Sequence, residues 1–159
     1  MKKHYLQQTG IFEGWEPEIY LCPTGHLTIG YGHNLESQGM SKEMIRVLFK
    51  GFRQSQESSL KLLELDMEEA VKDAEHFLED PLYVHGESSL TLLSKNRQYV
   101  ISDMAFNMGE YKLSKFINTR KEICRSIKTG DFNPAADEMK DSRWYRQTGN
   151  RAIFLVDLM

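Results

Sequence analysis

Three side chains near the start of the chain could do chemistry together. In IFEGWEPEIYLCPTGHLTIGYGHNL they are Glu13, then Cys22 after eight residues, then Thr28 after five more. A carboxyl group can hand over a proton, and a hydroxyl can orient a water. A thiol can do the same or, once ionised, add negative charge. Covalent work by the thiolate would need an activating base, and none is evident nearby. Each residue also has an ordinary reading. A lone Glu is usually solvated, a Thr on a strand fills a β-branched position, and a Cys fills a small half-buried space.

The elements around them decide whether they can converge. Residues 3–13 suit a short helix stopped by Gly14, which puts Glu13 at its end. From Ile19 to Tyr31 the pattern changes to two strands around the turn Pro23-Thr24-Gly25-His26. Leu27, Ile29 and Tyr31 share one face of the second strand, so Thr28 is expected to face outward. Ser41 reads as the N-cap of a helix with Met44, Ile45, Leu48, Phe49 and Phe52 on its inner side. A long helix follows, approximately residues 59–79, with apolar residues recurring at three and four until Asp80-Pro81.

Everything after Pro81 reads as helices. One is capped by Ser94, another begins near Ser114 and stops at Gly130, and Asn133-Pro134 opens a third. A last helix runs from about Asn150. The fold class is therefore α+β: a small N-terminal lobe with a β-hairpin sheet, a long connecting helix and an all-helical C-terminal lobe, with a cleft between the lobes. The lobes span approximately residues 12–58 and 82–159 of a single domain, and residues 1–11 are expected to pack on the C-terminal lobe.

Composition restricts the function classes. Of the 159 residues 40% are hydrophobic and 27% charged, as in ordinary globular proteins. The formal net charge is -3 and no clustered basic helix appears, which argues against nucleic acid as a partner. The start, MKKHYLQQTG, has no apolar run after its charges and reads as no signal peptide. No apolar run approaches the roughly 20 residues of a membrane span. The two cysteines, Cys22 and Cys124, form no disulfide framework, and the pairing of these two stays open. His4, His26, His76 and His85 lack ligand spacing, so no metal and no cofactor are expected.

The spacing Glu13, Cys22, Thr28 ending in TIGYGH resembles the signature of bacteriophage-type lysozymes, the endolysins of the muramidase family. Two further blocks, AFNMGEYKLSKFIN from Ala105 and SRWYRQTGNRA from Ser142, resemble that family's cleft wall and C-terminal block. The three keep their order, so the resemblance covers nearly the whole chain. It implies hydrolysis of the β-1,4 bond between N-acetylmuramic acid and N-acetylglucosamine in peptidoglycan. Glu13 matches the general acid, which must be held protonated near neutral pH by burial or a neighbouring anion. Thr28 matches the hydroxyl that positions water. Cys22 stands where many members have Asp, and an unshifted thiol of pKa about 8.5 is mostly neutral at pH 7.

The resemblance implies further roles. Arg151 matches an arginine that pairs with the catalytic glutamate, and His33 and Asp66 match an ion pair tying hairpin to long helix. That pair is expected to raise the His33 pKa and depress that of Asp66. Phe106, Asn107, Thr119, Gln147 and Thr148 are expected to face the glycan, and Gly109 to permit the turn after the Asn107 helix. As an endolysin the chain would be a monomer made in the host cytoplasm, without stable membrane insertion. It would act on peptidoglycan in the periplasm after export by a separate holin-type pore-former. The rival reading keeps the fold but not the activity: a peptidoglycan-binding or virion component. Retention of both Glu13 and Thr28 favours the enzyme. The short stretch after NRA and the irregular loop Tyr83 to Ser94 depart from the family pattern.

Overall fold

Helix α1, Lys3–Glu13, ends where the Gly14 N–H reaches back to the Gly10 carbonyl at 3.1 Å. The computed structural model describes residues 3–79 and 90–159. The expected stop at Asp80-Pro81 and most of the Tyr83–Ser94 loop lie outside these residues. The chain divides into two compact units, Met1–Glu68 and Glu69–Met159, and the division falls inside a helix.

In the first unit, β1 (Glu16–Leu21), β2 (Leu27–Gly30) and β3 (His33–Asn34) form an antiparallel sheet in that order. The third strand is an addition to the expected hairpin. At two residues it is too short to leave an alternating pattern in sequence. Tyr20 stands opposite Thr28, and Thr28 opposite Asn34, so β2 is the central strand. Leu27, Ile29, Leu35 and Ile45 form the core beneath it, with Ile19, Met40 and Phe49 packed alongside. Each large apolar side chain buried this way contributes about 1.5–3 kcal/mol.

A 3₁₀ turn, Leu35–Gln38, leads into α2, Lys42–Leu48, where the Ser41 hydroxyl accepts from the Met44 N–H at 3.2 Å. The inner face of α2 is narrower than expected. Ile45 is fully buried and Phe49 partly so, but Met44, Leu48 and Phe52 are exposed. A helix of two turns presents one or two positions to a core, and the remaining apolar residues stay in water.

Helix α3, Gln56–Leu78, buries Leu63, Met67, Ala70, Ala74, Phe77 and Leu78 along one stripe. Near its start, Ser59 donates to Gln54 Oε1 at 3.0 Å and accepts from Trp15 Nε1 at 3.0 Å. Gly30 sits against this network. Its φ is +68°, and a Cβ there would stand 2.8 Å from Gln54 Oε1 and 2.9 Å from Ser59 Oγ. Only glycine allows so close an approach.

The second unit is helical among its described residues: α4 (Lys95–Met108), α5 (Glu110–Leu113), α6 (Ile117–Thr129), α7 (Asn133–Lys140), α8 (Arg143–Thr148) and α9 (Asn150–Leu158). Ser94 caps α4, Gly109 closes it, and α6 stops at Gly130. Asn133 is the first residue of α7, with Pro134 in its first turn. The short helices α5 and α8 were not visible in the pattern, because one to two turns contain too few apolar repeats. Tyr99, Val100, Ile101, Met104, Leu113, Ile123, Met139 and Leu155 form the buried interior. Among the described residues no helix is long and apolar enough to cross a membrane.

Candidate active site

The turn after β1 fixes Cys22. Its N–H donates to the His26 carbonyl at 2.9 Å, and its carbonyl accepts from the Gly25 N–H at 2.8 Å. These two bonds hold the thiol at the mouth of the hairpin, with Sγ 3.0 Å from Thr24 Oγ1. Neither Cys22 nor Cys124 is in a disulfide. The Cys22 pKa is lowered to about 6, chiefly by the Thr24 hydroxyl. Partial burial works against this, while the His26 backbone and the Thr28 hydroxyl add to it. The thiol is thus a thiolate at neutral pH, not the mostly neutral group expected from an unshifted value.

Thr28 does not face outward. It is only 3% exposed, like the rest of β2, because a central strand covered on both faces has no solvent side. Its hydroxyl donates to the His26 carbonyl at 3.0 Å. A hydroxyl has one proton, so Thr28 can serve either that carbonyl or the Cys22 sulfur at any moment.

Glu13, the last residue of α1, is half-buried beside the turn that joins β2 to β3. Its Oε2 lies 3.3 Å from the place where a Cβ on Gly32 would stand, and Gly32 has φ +85°. A side chain at Gly32 would crowd the carboxylate. Tyr20 reports the same neighbourhood. Its phenol pKa is raised, first by burial and then by the negative charges of Glu13, Cys22 and Glu16. Tyr20 shares a face with Cys22 two positions on and with Thr28 opposite, by the pleat of the strands. Sequence reading passed over it, although the same alternation would have placed it there.

At the far end of the sheet, His33 Nδ1 lies 2.9 Å and 3.0 Å from the two oxygens of Asp66 on α3. The hydrogen bond to Asp66 raises the His33 pKa, partial burial lowers it, and the Asp66 charge raises it further. The result is a histidine charged over a wider pH range than in the unfolded chain.

In the second unit, Arg151 Nε donates to Asp103 Oδ1 at 2.6 Å, with the two side chains 6% and 0% exposed. Asp103 was missed in the sequence. The signal was there, since an acid inside the apolar run VISDMAF requires a buried partner. Phe106 lies under the same arginine, with the guanidinium 5.7 Å from its ring centre.

A pocket of about 880 Å³ opens in this unit among α4, α6, α7 and α8. Asn107, Thr119, Gln147 and Thr148 line it together, and Phe106 is not among its lining residues. Asn118, Lys112, Lys115 and Arg143 join them, none of which the sequence singled out. Its floor carries Trp144, 9% exposed, with the Phe116 ring edge-on at 6.2 Å. Trp144 Nε1 donates to Asn107 Oδ1 at 3.0 Å. The lining combines flat apolar carbon with amides, hydroxyls and charged side chains, Glu138 and Asp141 beside the three cations, and such a mixed polar surface can take a polar ring compound such as a saccharide. Among the described residues no group of His, Cys, Asp or Glu could hold a metal ion.

Comparison with known proteins gives the family. The family described as phage lysozyme matches residues 10–157. The probable T4-type lysozyme 2 of Dictyostelium discoideum is 28% identical over 162 aligned positions, covering 92% of this chain and 87% of that protein. The pre-baseplate central spike protein Gp5 of Enterobacteria phage T4 is 28% identical over 152 positions. That match covers 88% of this chain but only 24% of the spike protein. The chain belongs to the phage lysozyme family.

Proposed function

We propose that this lysozyme-family peptidoglycan hydrolase cleaves the β-1,4 bond between N-acetylmuramic acid and N-acetylglucosamine, with Glu13 as general acid. The carrying observation is the grouping of Glu13, Cys22 and Thr28 around one hairpin, with Tyr20 sensing two of them at once. The leaving oxygen needs a proton, and Glu13 carries the group able to give it. The sugar carbon left electron-poor then needs a water from its opposite face. The Cys22 thiolate accepts the water's proton or steadies the positive charge on the sugar. Buried Thr28 contributes by a lone pair of its hydroxyl, whose one proton goes to the His26 carbonyl or the Cys22 sulfur. A thiolate with a pKa of about 6 is a weak base, so its service is mostly electrostatic. The roles of Arg151, His33 and Asp66 are supporting: they hold the elements that present the reacting groups. The glycan rests in the second unit's pocket against Asn107, Thr119, Gln147 and Thr148. Peptidoglycan lies outside the cytoplasm, so a phage would need a separate pore-former to deliver this chain, which acts as a monomer.

The test is turbidity loss of outer-membrane-permeabilised Gram-negative cell walls. The parent clears the suspension, and Glu13→Gln slows clearing by about 10²–10⁴-fold, the usual contribution of a general acid. Parent protein inert at high concentration and at every pH tried would remove the enzyme reading. Equal clearing by Glu13→Gln would remove Glu13 from its role. Similarity to a phage spike protein supports a second reading, a virion component that binds peptidoglycan without cutting it. The same assay separates the two, because a binder sediments with the walls and leaves them intact.

A further inference from the structure

Cys22 and Thr24 flank Pro23 in the turn after β1, with Sγ 3.0 Å from Oγ1. Two backbone bonds close that turn, and the proline ring fixes its own φ, so the fold itself brings the sulfur and the hydroxyl together. Either atom could donate while the sulfur keeps its proton. The two directions have opposite consequences. A thiol that donates to the hydroxyl oxygen loses the bond on ionising, which favours the neutral form. A hydroxyl that donates to sulfur keeps the bond on the thiolate, which favours the anion. Thr24 also turns its backbone N–H toward the sulfur, so a hydroxyl donating from the same residue makes a clamp of two donors.

The charged groups nearby do not perform this service. Glu13 and Glu16 bring negative charge to the neighbouring Tyr20, which opposes a further anion. The His26 ring turns to Glu36, 3.5 Å away, and Lys42 lies 3.8 Å from the same carboxylate and donates to the Gly25 carbonyl at 2.7 Å. Hydrogen bonds lower the Cys22 pKa instead, the Thr24 hydroxyl most, against partial burial. Thr28 contributes less, its single proton being shared with the His26 carbonyl at 3.0 Å.

We propose that Thr24 is a positioning residue for the reaction: its hydroxyl donates to Cys22 Sγ and pins the sulfur, as an acceptor, at the mouth of the hairpin. Its part in turnover rests on the reading of Cys22 as a group that serves the hydrolysis. The test titrates the thiol itself, by the ultraviolet absorbance of the thiolate, in a Cys124→Ser background where Cys22 is the sole cysteine. The parent midpoint should lie at about 6. Thr24→Val keeps the branched shape without the hydroxyl, and its midpoint should rise by about one pH unit, roughly a tenfold loss of thiolate below the midpoint. Thr24→Ser keeps the hydroxyl and should titrate with the parent. On permeabilised walls the acid limb of kcat/KM should rise with the midpoint in Thr24→Val and return in Thr24→Ser.

A Thr24→Val midpoint that stays with the parent overturns the proposal, and one that falls shows the thiol to be the donor. An equal rise in Thr24→Val and Thr24→Ser also overturns it, since the shape of the turn and not the hydroxyl would then be responsible. Should Thr24→Val fail to fold, Thr24→Ala removes the same hydroxyl from this exposed position and decides in its place. A midpoint that moves while the rate profile stands still overturns the role in the reaction, and with it the place of Cys22 in the hydrolysis. A parent inert on walls at every pH is failure of the muramidase reading, and the thiol titration still reads the contact.

Discussion

Two carboxylate–cation pairs, one in each unit, show how differently the halves of this molecule use charge. In the first unit His33 and Asp66 meet at 2.9 Å with side chains 13% and 28% exposed. In the second, Arg151 and Asp103 meet at 2.6 Å and are closed to water. A half-exposed pair gains little and is screened by salt, but one of its members can titrate near neutral pH. A buried Arg–Asp pair has already lost its hydration, and its arginine never gives up the proton. The first unit, with Cys22 and His33, therefore holds groups that respond to protons near neutral pH, while the second buries its pair in the interior.

The buried pair gives the largest expected effect. Asp103→Ala removes the carboxylate at 2.6 Å from a guanidinium in the interior and should cost about 3–5 kcal/mol, measured as a shift in the denaturant midpoint at constant slope. Asp103→Asn should recover only part of this, since a neutral amide answers the charge poorly. A loss no larger than that of Asp66→Asn would break the contrast drawn between the two units.

Cys22 tests the proton-responsive half through rate rather than stability. If the thiolate serves the reaction, the rate should fall as pH drops through about 6 and the sulfur takes up a proton. Cys22→Ser should lose this limb and run about tenfold slower at pH 7, since its hydroxyl can orient water but carries no charge. Cys22→Asp should shift the limb toward lower pH, where carboxylates ionise. The readout is the pH profile of kcat/KM on permeabilised walls. An unchanged profile in Cys22→Ser would reduce the thiol to a space-filler.

What could be read from the sequence follows the range of the interactions involved. Local signals carried well: Ser41 and Ser94 cap their helices, Gly14 and Gly130 end theirs, and α3 shows its stripe over six turns. These depend on residues three or four apart, which the sequence displays directly. The burial of Thr28 did not follow, because the alternation rule assumes a wet face and β2 has none. The exposed Met44 and Leu48 failed for the converse reason, as an apolar pattern in two turns does not state how much core is available. Asp103 was hidden by distance, its partner lying 48 positions away. The low pKa of Cys22 depends on a hydroxyl two residues on, near in sequence but meaningful only once the turn closes. Residue type and spacing drew attention to Glu13, Cys22 and Thr28, and the family resemblance to His33 and Asp66, whereas Tyr20 and the bond from Trp144 to Asn107 depend on the folded chain.

The smallest effect belongs to the half-exposed pair, and its sign is what matters. His33 has its pKa raised in the folded state by Asp66, so the folded protein holds that proton more tightly than the unfolded chain does. The stability gained is fully present below the unfolded value of about 6.5 and is lost as pH rises through the raised folded value. Asp66→Asn should therefore cost about 1 kcal/mol in mildly acid solution, after allowance for solvent screening. The cost should shrink toward that of a neutral hydrogen bond once His33 is deprotonated. Urea titrations of parent and variant on both sides of that transition measure the difference. Added salt should narrow the gap at the acid end and leave the Asp103 variants unmoved, because only the first pair stands within reach of counterions. A gap that widened with rising pH would mean that His33 is held neutral, and that Asp66 acts on it as a hydrogen-bond acceptor alone.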